Sequence, residues 1–117
     1  MNEDHIRPWG RYDILDEGIG YKVKRITVSP ACRLSYQRHA QRSECWTIVA
    51  GRGRLTLDDV ESDKSVGDVV KVGIGTKHRI QNIGTEPLIF IEVQLGAYLG
   101  EDDIERFSDD YGRVGLS

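Results

Sequence analysis

Two histidine-bearing segments hold the residues in this chain best suited to chemistry. The first reads His39-x-Gln41-x2-Glu44-x6-Gly51. The second reads Gly67-x5-Gly73-x-Gly75-x2-His78-x3-Asn82. Residues two apart on a strand point to the same side, so Gln37, His39 and Gln41 share a face. Glu44 follows just after the bend. In the second segment, glycines allow a tight turn that presents His78 at a strand start. Two imidazoles and a carboxylate converging from two strands form a ligand set for one divalent transition metal ion, whether zinc, manganese, iron, cobalt or nickel. Gln41 would add a carbonyl oxygen, a harder ligand than imidazole. Gln37 is the alternative fourth ligand.

Glu92 and Gln94 lie on one face of a strand, with Ile89, Ile91 and Val93 on the other. If the polar face lines a cavity, Glu92 is the candidate base; if it faces out, both are solvated side chains. Arg25, Arg42, Lys77 and Arg79 are candidate phosphate contacts, because cationic donors recognise phosphate oxygens. Cys45 follows Glu44 and points to the opposite face, where a free thiol packs as a small hydrophobe. Trp9 and Trp46 read as core or interface anchors.

The elements that must position these residues are strands. The chain has 117 residues, the size of one domain. Val, Ile and Thr together number 26 against 4 Ala, which disfavours a helical bundle. The 13 glycines suit tight turns. No apolar run approaches the ~20 residues of a membrane span. The start lacks a basic segment followed by an apolar one, so it does not read as a secretory signal. Two cysteines make no disulfide scaffold, and reduced thiols in a cytoplasmic protein are expected. A net charge of −3 argues against a nucleic-acid binder. Charge is uneven nonetheless: eight basic residues and one acid lie between Lys22 and Arg54, and six acids and one base between Glu101 and Asp110.

Strands are predicted over residues 21–29, 34–41, 45–50, 54–57, 68–72, 77–82 and 88–94, with a bulge near Lys24 and Arg25. In the second of these, Leu34 and Tyr36 share the face opposite His39. Residues 58–63 read as a polar loop. Acids ahead of Ile104 and Phe107 predict one short C-terminal helix or loop within residues 100–112. The architecture expected is all-β, a sandwich or small barrel.

Taken together, the two segments resemble the paired motifs of the cupin superfamily, G-x5-H-x-H-x3,4-E-x6-G and G-x5-P-x-G-x2-H-x3-N. Gln41 stands where the second His is usual, and Gly73 where Pro is usual. Further runs narrow the likeness: Arg7-Pro8-Trp9-Gly10, Leu34-Ser35-x-Gln37-x-His39, Arg42-Ser43-Glu44-x-Trp46, Ile91-Glu92-Val93-Gln94 and Tyr98-Leu99-Gly100-Glu101-Asp102-Asp103-Ile104. They resemble the type II mannose-6-phosphate isomerase cupin, the C-terminal module of bifunctional guanylyltransferase/isomerases. There Gln41 and Cys45 replace usual histidines. The resemblance implies a single double-stranded β-helix, a jelly-roll-like barrel, over residues 1–117. Its core would span about 20–96, with a leader at 1–19 and an acidic tail at 97–117.

What the resemblance implies chemically is metal-dependent interconversion of mannose 6-phosphate and fructose 6-phosphate, feeding GDP-mannose and polysaccharide synthesis. His39, Gln41, Glu44 and His78 would hold the metal. Glu92 would carry the proton, and Arg25, Gln37, Arg79 and Gln94 would bind a small sugar phosphate. No nucleic acid or membrane partner is expected, and pairing through sheets would make a cytoplasmic homodimer. The alternatives are a non-catalytic, regulatory sugar-phosphate binder or other cupin metal chemistry, such as a dioxygenase.

Overall fold

The computed structural model describes residues 5–115. Among these residues, eleven strands form two sheets. In chain order they are β1 (Ile6–Arg7), β2 (Gly10–Gly18), β3 (Tyr21–Val28), β4 (Tyr36–Arg38), β5 (Arg42–Ala50), β6 (Gly53–Leu57), β7 (Val60–Lys64), β8 (Val69–Val72), β9 (His78–Asn82), β10 (Leu88–Gly96) and β11 (Glu105–Ser108). The larger sheet runs β1-β2-β3-β10-β5-β8 and the smaller β11-β4-β9-β6-β7. Neighbours within each sheet are antiparallel. The β-branched composition thus appears as strands, as expected.

Four sequence expectations are corrected. The predicted leader is not outside the barrel: residues 6–18 supply two strands of the larger sheet. The tail forms turns and then β11, not a helix, and β11 pairs with β4. Its acids find arginine partners on other elements, as in Arg38–Glu105 and Arg33–Asp110, so they have no need of a helix N-terminus. Residues 58–63 are not a loop. Asp58 and Asp59 both take positive φ, 44° and 70°, which is the twist a two-residue hairpin turn requires, and the chain returns at once as β7. Finally, the irregularity near Lys24 belongs to β2, where the register shifts between Ile14 and Asp16. Strand β3 alternates regularly, so Lys24 faces inward together with Ile26 and Val28.

The interior is divided by register. Phe90 pairs with Ile48 and Ile26 across β10, β5 and β3. Together with Trp46, Val70, Val72, Leu55, Ile80 and Leu88 they build an apolar core, where Trp46 and Phe90 stack with centroids 4.5 Å apart. Along the same strands the inward residues then turn polar. Glu92 stands beside Lys24, and Gln94 beside Glu44 and Lys22. Antiparallel pairing aligns these polar ends at one level, so three neighbouring strands open a polar cavity at one end of an apolar barrel. Two glycines allow the close approaches this needs. At Gly51, with φ +82°, an added Cβ would lie 2.6 Å from the carbonyl oxygen of Pro87. At Gly96 it would collide with the backbone of Gln41, where the chain enters β5.

Candidate metal centre

The cavity at the polar end is lined by both motif segments and by the tail. His39 leaves β4 at a bend, Glu44 is on β5, and His78 opens β9. The glycine turn before β9 locks these parts together, because the Gly75 N–H donates to the carbonyl of His39 at 2.9 Å. Gly75 has φ +77°, a conformation glycine adopts without strain. One ligand atom from each of His39, Glu44 and His78 lies within 4.8 Å of the others, and all three residues are buried.

The hydrogen bonds fix which ring atoms face inward. His39 Nδ1 is 2.6 Å from the carbonyl oxygen of Asp103, and His78 Nδ1 is 2.9 Å from that of Thr76. A carbonyl oxygen only accepts, so each Nδ1 is the protonated nitrogen. The Nε2 atoms then turn to Glu44, at 3.3 Å for His39 and 3.9 Å for His78. Burial holds the His39 imidazole down at about 4, against the pull of Glu44 and with help from the Arg42 and His78 charges. At neutral pH a nitrogen lone pair therefore faces a carboxylate oxygen, an arrangement that calls for positive charge between them. Arg42 supplies part of it, with Nε 2.8 Å from Glu44 Oε2 and Nη2 3.3 Å from His39 Nε2. The donor set and its carbonyl-fixed tautomers fit a divalent cation.

Two carboxyl groups at this site have opposite fates. Glu44 accepts from Arg42 and, at 2.9 Å, from the Trp46 indole. Burial opposes its ionisation, but the electrostatic pull of His78, Arg42 and His39 outweighs that and holds Glu44 well below the usual carboxylate range. Glu92 is pushed well above that range by burial and then by the negative charge of Glu44, to which it is hydrogen-bonded. It accepts from the Gln94 amide at 2.7 Å. A carboxyl of raised proton affinity thus sits beside one of lowered affinity, a pairing that suits acid–base work.

The structure brings His39, Glu44, His78, Glu92 and Gln37 to the cavity wall. Gln94 is wholly buried on the same face but lies behind Glu92, so it supports that carboxyl. Gln41 is exposed: the bend at residues 40–41 breaks the strand alternation, and Arg42 takes the inward place. It is not positioned as a ligand. Arg25 points outward from β3 and pairs with Asp13 at 3.3 Å. Arg79 lies on the outer side of the smaller sheet, donating to the carbonyls of Leu34 and Ser108. Strand parity places both on the side away from the cavity. The cations at the cavity are instead Lys24, Arg42, Arg7 and Arg113. Parity with Ile26 and Val28 was the available signal for Lys24. No spacing pointed to Asp103, Glu101 or Arg113, which the tail brings in from a distance in sequence.

The family model described as mannose-6-phosphate isomerase C-terminal matches residues 1–109. A mannose-1-phosphate guanylyltransferase of Salmonella montevideo is 50% identical over 107 residues, covering 92% of this chain and 23% of its own length. Alginate biosynthesis protein AlgA of Pseudomonas aeruginosa is 49% identical over 108 residues, covering 92% and 22%. The chain thus spans less than a quarter of the length of these curated relatives. Among solved structures, a Klebsiella pneumoniae protein with a double-stranded β-helix domain superposes with a TM-score of 0.75 at 19% identity, covering 92% of this chain and 94% of its own. The fold is the cupin double-stranded β-helix, and the chain belongs to the mannose-6-phosphate isomerase C-terminal family.

Proposed function

We propose that this chain is a metal-dependent sugar-phosphate isomerase that interconverts mannose 6-phosphate and fructose 6-phosphate. The observation that carries the reading is the buried His39–Glu44–His78 group with a second buried carboxyl, Glu92, on the same cavity wall. Aldose-to-ketose exchange moves one proton from C2 to C1 and one from O2 to O1, with no net redox change. A divalent cation held by His39, Glu44 and His78 would supply Lewis-acid polarisation of the sugar oxygens. Glu92 is the group that carries the carbon-bound proton, since its raised proton affinity brings it nearer neutral pH. Arg42 is buried, and its Nη1 has no hydrogen-bond partner. An unpaired buried donor is costly, so this atom is placed to take a substrate oxygen. Lys24, Arg7 and Arg113 line the same cavity and make it attractive to a phosphate.

A coupled assay on protein loaded in turn with manganese, cobalt, zinc and nickel tests the reading. Turnover of mannose 6-phosphate with at least one metal is the expected result. Calorimetric binding of the sugar phosphate without turnover would instead favour a regulatory binder.

We also propose that the outer face of the larger sheet meets a second copy of this chain. Ile89, Ile91, Val93 and Leu95 of β10, Val49 of β5 and Val69 of β8 form an apolar strip there. Transverse pairing puts Lys71 at one margin and Asp16 at the other, in one row through Cys45, Val93 and Val23. A two-fold axis along β10 would set Lys71 against the partner's Asp16, which is charge complementarity of an isologous kind. Sedimentation at micromolar concentration should show a dimer that Val93→Glu converts to monomer. A monomeric unsubstituted chain would overturn this.

A further inference from the structure

The tail segment just before β11 reaches back to the bend that carries His39. Asp103 makes three contacts there. Its carboxylate accepts from the Ala40 and Gln41 N–H groups, both at 2.9 Å, and its carbonyl oxygen accepts from His39 Nδ1 at 2.6 Å. Two residues earlier Glu101 is 2.7 Å from Lys24 Nζ, and one residue later Ile104 lines the cavity. Asp103 itself is held in a turn, its N–H donating to the Gly100 carbonyl at 3.2 Å. The bend is therefore clamped from two sides: by Gly75 through the His39 carbonyl, and by Asp103 through the ring and the next two amides.

We infer that Asp103 is a positioning residue for the metal centre: its carboxylate anchors the 39–41 bend while its carbonyl fixes the tautomer and direction of the His39 ring. The physical reason lies in the geometry of the bend. Residues 39–41 lie between β4 and β5, outside both strands, so no strand pairing fixes His39. An imidazole without a partner on its outer nitrogen can rotate and exchange tautomers, and each alternative turns a proton into the site. The two hydrogen bonds that the Ala40 and Gln41 N–H groups donate to the carboxylate are what keep the Asp103 carbonyl in place opposite Nδ1.

This inference rests on the reading of His39, Glu44 and His78 as the metal centre, but half of its test does not need a metal. In metal-free protein, nitrogen-15 NMR of the imidazoles should show His39 as a single Nδ1-protonated tautomer, and Asp103→Ala should turn it into a mixture. In the same variant, zinc affinity measured against a chromophoric chelator should fall about 10–100-fold, the size seen when a partner behind a ligand is lost. Asp103→Asn keeps one acceptor oxygen and should recover part of both effects. Asp102→Ala, which removes only the partner of the Tyr98 hydroxyl, should leave both unchanged. An unchanged tautomer and a zinc affinity within about threefold in Asp103→Ala would overturn the assignment. Unmeasurable zinc binding in the unsubstituted chain would overturn the metal reading, while the tautomer result would still decide the role of Asp103.

Discussion

Glu92→Gln should lower kcat for the proposed isomerisation by about 10²–10⁴-fold, the usual share of one acid–base group, with a much smaller change in KM. The amide has almost the same shape as the carboxyl it replaces, and its oxygen can still accept from Gln94, so packing has little reason to change. Only proton transfer is lost. The stability effect should run the other way. Burial and the Glu44 charge raise the Glu92 carboxyl in the folded state above its unfolded value of about 4.5. The unfolded chain then gives up that proton first, so the group weakens folding as pH rises from the unfolded towards the folded value. Glu92→Gln removes this weakening, and the variant should be at least as stable as the parent at pH 8 in urea titrations. A variant that keeps full turnover, or loses it only through unfolding, would take Glu92 out of the reaction.

Glu44→Ala should be the most damaging single change to stability, about 3–5 kcal/mol by urea unfolding, because it leaves the buried Arg42 guanidinium without its carboxylate. It also strips a hydrogen bond from Trp46 and a ligand atom from the metal group. The paired variant Glu44→Leu with Arg42→Met should recover much of the stability while remaining unable to bind metal, since the uncompensated charge is what destabilises. Acid should reproduce part of the effect in the parent. Glu44 is held below its unfolded value of 4.5, so its contribution is present above that pH and fades as pH falls through the folded value. His39, held at about 4 against 6.5 in the unfolded chain, contributes above 6.5 and loses its part between those two values. Stability of metal-free protein should therefore drop on acidification from about pH 6.5 downward. A Glu44→Ala variant as stable as the parent would mean that Arg42 finds another partner.

Much of the fold was legible because a strand's alternation is local. On β5, Glu44, Trp46 and Ile48 share one parity, and Cys45 falls outside, as the sequence implies. On β10 the same alternation left two orientations open for Glu92, and nothing in the strand itself chose between them. The choice came from burial of Leu88 and Phe90, which share its parity and fill the core. Turn chemistry was legible where glycine carries it, at Gly51 and Gly75. It was missed where two aspartates take the same positive φ, at Asp58 and Asp59, because an acidic pair reads as a solvated loop.

The sequence by itself determined that this chain is built of strands, and it singled out His39, Glu44 and His78 as a group that could hold a metal. The spacing within each motif suffices for that, since it sets which side chains share a face. Only the tertiary structure decided that Gln41 is turned out of the site, that Arg42 takes the inward place, and that Lys24 rather than Arg25 reaches the cavity. It also decided that the acidic tail belongs to the site, through Glu101 on Lys24 and Asp103 behind His39. These contacts join residues more than sixty positions apart. Their pairing depends on the register of whole sheets, which no local pattern records.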